Sequence, residues 1–287
     1  MVISRDKTHS NEAQIMKRQL KGINKKARKA YYDVVVPFMM KRLFQAIHFG
    51  RNGFYHPVIF GKRTYAGKRN CDDRWAVIHG IMQEYNPDSV LDVGCAEGWM
   101  LREINKEFGC FTLGIDGLSN RVLTGELSRL RDDVPFLSIM KKKLEPDDMH
   151  KLPKFDVIIC LSLVHHIIKI KGVDAGREFV AGLRDRTNKA LVFEMGSSDE
   201  KLMKWHGNMP EMEHGQDRFM TEFLESAGLQ NVRKVGEGAS TKRDSHRVII
   251  VGEPCEQKSV DAAATPLSPA SSSVVQAEPL ISPAASA

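Results

Sequence analysis

The sequence predicts a doubly wound α/β fold with a mostly parallel seven-stranded sheet, preceded by a basic helical extension. Three observations carry this reading. From residue 71 to 254, short apolar runs alternate with segments of helical spacing, the pattern of a parallel sheet with crossover helices. One strand–helix junction holds a glycine-bearing turn. Charge is uneven along the chain: residues 1–70 carry 16 Lys/Arg against 3 Asp/Glu, and the rest 26 against 33, for a net +6.

In residues 1–70, Asn11–Ala30 has the spacing of an amphipathic helix with seven cations between Lys17 and Lys29. Pro37 separates it from a second helical segment, Phe38–Ile47. In residues 71–254, strands are expected at Ser89–Val93, Phe111–Ile115, Val134–Ile139, Phe155–Leu161, Ala190–Met195, Val232–Val235 and Arg247–Gly252. Helical spacing falls at Trp99–Phe108, Ser119–Arg131, Val173–Arg184 and Arg218–Ala227. The last two strands have a short polar connection, Gly236–Arg243, which favours an antiparallel hairpin at a sheet edge. Residues 255–287 are rich in Pro, Ala and Ser, lack apolar periodicity, and are expected to be disordered.

With 42% apolar and 27% charged residues, the 287-residue chain has the composition of a globular protein that needs no staple. Its five cysteines (71, 95, 110, 160 and 255) form no CxxC pair and point to a reducing compartment. The N-terminus lacks an apolar leader, and no run reaches the ~18–20 apolar residues of a membrane span. The expectation is a cytoplasmic protein, with peripheral attachment to a membrane surface as an option. The basic N-terminus would suit a polyanion such as RNA, anionic lipid or a charged glycan.

The sequence SVLDVGCAEGWMLREI reads as strand, turn and helix. Gly94 and Gly98 let the backbone approach a ligand, and the helix from Trp99 offers unpaired N–H groups to whatever occupies the turn. A pyrophosphate site would use GxGxxG. Here the turn reads DxGxxxG, with Asp92 and Glu97 flanking it, and two carboxylates suit a cationic ligand end such as the amino group of a methionine moiety. Asp116 ends the next strand, 24 residues after Asp92, where a carboxylate can accept both hydroxyls of a ribose.

Across Arg74–Glu253 the chain resembles the class I S-adenosylmethionine-dependent methyltransferases, whose fold is Rossmann-like. VLDVGCAEGWM is similar to that family's first motif, LGID to its second, and FDVIICLSLVHHI to its fourth-strand motif. EFLESAGLQNV is similar to the pattern that closes the fold. The resemblance implies S-adenosyl-L-methionine as cofactor. Asp92, Gly94, Cys95, Ala96, Glu97 and Gly98 would line it, Asp116 would hold the ribose, Leu144 and Glu145 would sit near the adenine, and Leu161 would lie at the mouth. Upstream, FYHPVIFGKRTYAGKRNCDDRW resembles the lead-in of the tRNA wobble-uridine carboxymethyltransferase branch: a Tyr-His segment and a Gly-Arg turn before an Arg-Trp that opens the first domain helix. VFEMGSSDE is similar to that branch as well.

Methyl transfer depends on positioning, with a general base where the nucleophile carries a proton of high pKa. His165, His166 and Glu194, at the ends of the fourth and fifth strands, are the candidate catalytic residues. The segment from Lys204 through His206 to His214 reads as a cover over the substrate. No metal site is expected, because the fourth-strand loop Ser162–Ile168 lacks the acids of metal-dependent RNA 2′-O-methyltransferases. Cys160 reads as a buried small apolar residue. The expected acceptor is a small molecule, lipid or saccharide. The alternatives are RNA or tRNA held by the basic N-terminus, or a catalytically silent binding protein; a nicotinamide oxidoreductase lacks support without GxGxxG.

Overall fold

A computed structural model describes Ala27 and residues 34–49, 53–239 and 246–255. Apart from Ala27, the helix expected at Asn11–Ala30 lies outside the described residues, as does the tail after Cys255. The chain runs α1 (Val36–Phe49), β1 (Val58–Phe60), β2 (Arg63–Tyr65), α2 (Asp72–Tyr85), β3 (Ser89–Val93), α3 (Trp99–Phe108) and β4 (Phe111–Asp116). It continues through α4 (Ser119–Asp132), β5 (Leu137–Lys141), β6 (Phe155–Leu161), α5 (Val164–Lys171), α6 (Val173–Arg184), β7 (Thr187–Glu194), α7 (Gln216–Ser226), β8 (Leu229–Ala239) and β9 (His246–Pro254).

Seven strands form one sheet in the order β5-β4-β3-β6-β7-β9-β8. β3 to β7 are mutually parallel, and β9 pairs antiparallel with both β7 and β8. The central strands are apolar on both faces because helices cover both. On one face Ile158, Phe193 and Ile250 pack with Ile168 of α5, Phe179 and Leu183 of α6, and Phe223 of α7. On the other, Val90, Val157 and Val192 meet Ile78 and Met82 of α2 and Leu101 and Ile104 of α3.

The expected edge hairpin forms, with the later strand placed inside. β9 buries six consecutive residues, Arg247–Gly252, whereas β8 reads LQNVRKVGEGA and is largely exposed. The more apolar strand therefore pairs with β7, and the polar one takes the edge. The strand expected from Val134 starts at Leu137 instead. Pro135 offers no N–H to a ladder, and Phe136 sits at φ 53°, outside the extended region.

Ahead of the sheet, β1 and β2 form an antiparallel hairpin. α1 lies against it: the Phe44 ring stacks on Phe60 at 4.1 Å between centroids, and both join Phe54, Val58 and Leu127 of α4 in a third apolar cluster. The lead-in to the domain is thus anchored on the α4 side of the sheet.

Candidate active site

The carboxyl ends of β3 and β6 are neighbours, although the chain leaves β3 toward β4 and reaches β6 only after β5. This is the switch point at which open α/β sheets leave a crevice. The turn after β3 is held from below: the Gly94 N–H donates to the Ile115 carbonyl at 2.7 Å, and the Ala96 N–H to Asp116 Oδ2 at 3.0 Å. Asp116 Oδ1 accepts the Leu118 N–H at 2.8 Å. Asp116 therefore fixes two successive turns, and Ala96 holds a positive φ of 53° under its grip. Asp116→Asn can offer only one acceptor oxygen and turns an NH2 group toward the other donor. It is expected to destabilise the fold by about 1–3 kcal/mol, measured by urea unfolding.

The two glycines of the turn serve different purposes. Gly94, at φ 88°, has only Leu163 near its open side and borders the crevice. Gly98, at φ 76°, faces away, where a Cβ would overlap the side chain of Ile139. It permits α3 to pack on β5 rather than a ligand to approach the backbone, which corrects the sequence expectation. Cys95 is buried beside Gly114, and Ala96 is buried too. Glu97 also departs from expectation. Its Oε1 accepts the Tyr55 N–H at 2.9 Å and its Oε2 the His56 N–H at 3.0 Å, so it anchors the lead-in segment.

That anchoring builds one wall of a cavity of about 180 Å3, bordered by Tyr55, His56, Arg69, Asp92, Ser162 and His166 among others. Asp92 is 5% exposed, and its carboxylate has no hydrogen bond among the described residues. Burial, and then the nearby Asp116 charge, push its carboxyl up to about 8. Across the cavity, Arg69 donates from Nη1 to Ser162 Oγ at 2.8 Å, while its buried Nε and Nη2 have no partner. His56 Nδ1 and Arg74 Nη2 are buried and unpartnered as well, and both residues border the same cavity. Burial, followed by the Arg69 charge, lowers His56 to about 3, so its ring is neutral. Arg121 lies over the Tyr55 ring at 4.4 Å and 3.8 Å from Asp116 Oδ2.

Sharing Gly94, Asp116, Arg121, Leu163 and His166 with the cavity, a groove of about 360 Å3 is bordered also by Leu118, Leu144, Glu145 and Ile167 among others. Leu144 and Glu145 thus border the same groove as Asp116, and Leu161 borders the cavity. Glu145 pairs with Lys143 and Lys171 at the rim.

Glu194 lies elsewhere. It is fully buried behind the cavity wall, where Oε2 accepts from Arg74 Nε at 2.6 Å and Oε1 from Ser162 Oγ at 2.6 Å and Arg247 Nη1 at 3.3 Å. Arg247 also forks onto Glu200 at 2.8 and 2.9 Å. Burial works to raise the Glu194 pKa, but Arg74, Arg247 and Arg69 outweigh it and hold the carboxyl below its ordinary range. A carboxylate so saturated and sealed off does not touch an acceptor, which corrects its assignment as a catalytic residue. It orders the Ser162–Arg69 side of the cavity instead.

The two histidines also divide. His165 is 2% exposed; its Nδ1 accepts the Gly196 N–H at 3.1 Å, and its ring packs on Trp205 at 4.4 Å. Burial, and then His166, depress its pKa well below the ordinary value, so the ring is neutral; with Nδ1 occupied by Gly196 and the ring outside the lining of both cavity and groove, it serves as a packing group. Trp205 closes the segment after β7 over this ring, and Gly196 leaves room for it. His166 alone of the pair borders both cavity and groove. Among the described residues no three His, Cys, Asp or Glu side chains are grouped to hold a metal ion.

Residues 69–234 match the methyltransferase domain family, more than half of the chain, and the chain belongs to that family, the class I S-adenosylmethionine-dependent methyltransferases. Curated relatives include the O-antigen chain terminator bifunctional methyltransferase/kinase WbdD of Escherichia coli, 26% identical over 167 residues. That match covers 54% of this chain and 23% of WbdD, so the chain spans about a quarter of that relative's length. A crystal structure of WbdD superposes with TM-score 0.61 at 19% identity, over 73% of this chain and 46% of that one. The N-terminal domain of EvdMO1, solved in the presence of SAH and D-fucose, superposes with TM-score 0.53 at 14% identity, over 75% and 96%. At these identities the superpositions establish the fold.

Proposed function

We propose that this chain binds S-adenosylmethionine in the groove and cavity and transfers its methyl group to a hydroxyl of a saccharide-type acceptor. One observation carries the cofactor reading. A buried carboxylate with no side-chain hydrogen bond among the described residues, Asp92, and a buried guanidinium whose Nε and Nη2 are unpartnered, Arg69, border one small cavity. Together they complement the ammonium and carboxylate of an α-amino acid. Asp116 keeps acceptor capacity for the ribose, and Leu118, Leu144 and Ile167 offer an apolar bed for the base. The bound cofactor would supply a methyl group on a sulfonium, ready for in-line displacement.

The chain's own part is to hold, orient and deprotonate. His166 stands where cavity and groove meet, and burial, then the Arg247 and Lys169 charges, lower its pKa from the ordinary histidine value. It is therefore a neutral imidazole near pH 7, able to take the proton of an acceptor hydroxyl. Tyr55, Ser162 and Arg121 give the cavity polar edges suited to a hydroxyl-rich ligand. The saccharide class draws support from the relatives: WbdD is named an O-antigen chain terminator, and the EvdMO1 domain was crystallised with D-fucose.

The test is calorimetry with S-adenosylhomocysteine across pH. A ligand ammonium favours ionised Asp92, which titrates at about 8 without ligand. Affinity should rise with pH toward about 8 and then level off, and Asp92→Asn should bind at least about tenfold more weakly with this pH dependence removed. Absence of binding by the wild-type chain would mean a silent binding protein. Labelled methyl transfer to saccharide, lipid and RNA fractions then assigns the acceptor; incorporation into RNA alone would overturn the saccharide reading.

A further inference from the structure

Among the described residues, exposed apolar side chains cluster on α1, on a surface that the reaction does not use. α1 is apolar on two sides. Phe44, with Met40 and Ile47, packs on the hairpin cluster. On the other side Phe38 and Met39 are each 57% exposed and Leu43 43%, and Val34 and Val35, just before the helix, are exposed too. Lys41 and Arg42 stand among them, with the Arg42 guanidinium 5.3 Å from the Phe38 ring centroid. No Asp or Glu occurs between Asp33 and Asp72, a stretch with seven Lys/Arg, and residues 1–33 add nine Lys/Arg against three acids. Lys62, Arg63 and Lys68, in and after the hairpin on which α1 rests, are likewise exposed.

We propose that α1 is an interfacial anchor that seats this chain on an anionic phospholipid surface. Phe38, Met39 and Leu43 would enter the boundary between headgroups and acyl chains, while Lys41 and Arg42 reach back to the phosphates. The acid-free stretch supplies the complementary charge. Two features favour lipid over RNA. The exposed face is mostly aliphatic, and Val34, Val35, Met39 and Leu43 offer nothing for a base to stack on. The cations also lie among the apolar residues rather than in a groove that could track a strand. The surface is remote in kind from the cofactor cavity, so the inference stands or falls apart from the proposed reaction.

The test is flotation of the full chain with vesicles of phosphatidylcholine alone and with vesicles containing phosphatidylglycerol, at low and high salt. The expected result is binding to the anionic vesicles only, weakened by salt. The triple substitution F38S/M39S/L43S should reduce it at least about tenfold, the equivalent of about 1.4 kcal/mol. Thermal melting shows that the variant remains folded, and K41E/R42E should weaken binding in the same direction. Anionic-vesicle binding that the triple substitution leaves unchanged would overturn the anchor. So would absence of vesicle binding, whether the chain instead retains single-stranded RNA or forms a dimer that the triple substitution dissolves.

Discussion

Glu194→Gln is expected to lower the stability of this protein by about 3–5 kcal/mol, although Glu194 is remote from solvent and takes no part in proton transfer. The carboxylate is fully buried between Arg74 and Arg247, each 2% exposed. The amide keeps the shape but removes the charge, leaving two guanidinium groups in a low-dielectric interior with Glu200 as the remaining nearby acid. At about 2–4 °C per kcal/mol for a domain of this size, the melting temperature should fall by about 6–20 °C. A shift of less than a degree would mean that the buried charges relax to water. Adding Arg74→Met removes one of the stranded cations, so the double variant should lose less than the sum of its parts. The pH dependence follows from the depressed carboxyl. With a folded value below the unfolded one, its stabilisation is present at neutral pH, above the unfolded value, and disappears as the pH falls through the folded value. Glu194→Gln should therefore flatten the acid limb of the stability profile.

The second large effect concerns His166. His166→Ala should reduce kcat by about 10²- to 10⁴-fold while changing S-adenosylhomocysteine affinity by less than about threefold, since in the proposed reaction its imidazole acts on the acceptor's proton. His165→Ala should behave differently. It empties the space beneath Trp205 and strands the Gly196 N–H, so its main readout is a lower melting temperature. The base must be unprotonated to act. Because the pKa of His166 is lowered, kcat should rise with pH through a value below the ordinary histidine range and remain flat at neutral pH. If kcat of His166→Ala stayed within threefold of wild type, the proton would have to leave by another route.

Much of the fold was legible because its signals are local. β3, β6 and β9 are apolar runs, and α3 and α6 begin and end where their spacing indicated. The crevice was legible from Asp92, Gly94 and Asp116, which sit at strand ends beside a tight turn. What escaped was the electrostatic interior. Nothing in the sequence marks Arg69, Arg74 and Arg247 as buried, since arginine is seldom buried unless paired. Their partners lie far along the chain: Arg74 and Glu194 are 120 residues apart, and Arg69 and Ser162 are 93. No periodicity reports such a pairing. Glu97 misled for the same reason, because its ligands are the amides of Tyr55 and His56, 42 and 41 residues upstream. The Tyr-His segment of the lead-in was the one signal that could have placed these residues at the cavity.

The Glu97 clasp bears on how such a chain can change its chemistry. The family match begins at residue 69, and composition draws a border near 70, yet Tyr55 and His56 wall the cavity from the far side of that border. The sheet provides one half of the vessel, and the lead-in provides part of its lining. Beside the apolar cluster on Leu127, two backbone amides bound by one carboxylate join the halves, and that contact is indifferent to which side chains Tyr55 and His56 carry. Recombination or drift upstream of residue 69 can thus re-line the vessel without disturbing the strands that hold the turn after β3. A lead-in exchanged between two such chains should transfer acceptor preference while leaving the proposed cofactor contacts at Asp92 and Asp116 in place.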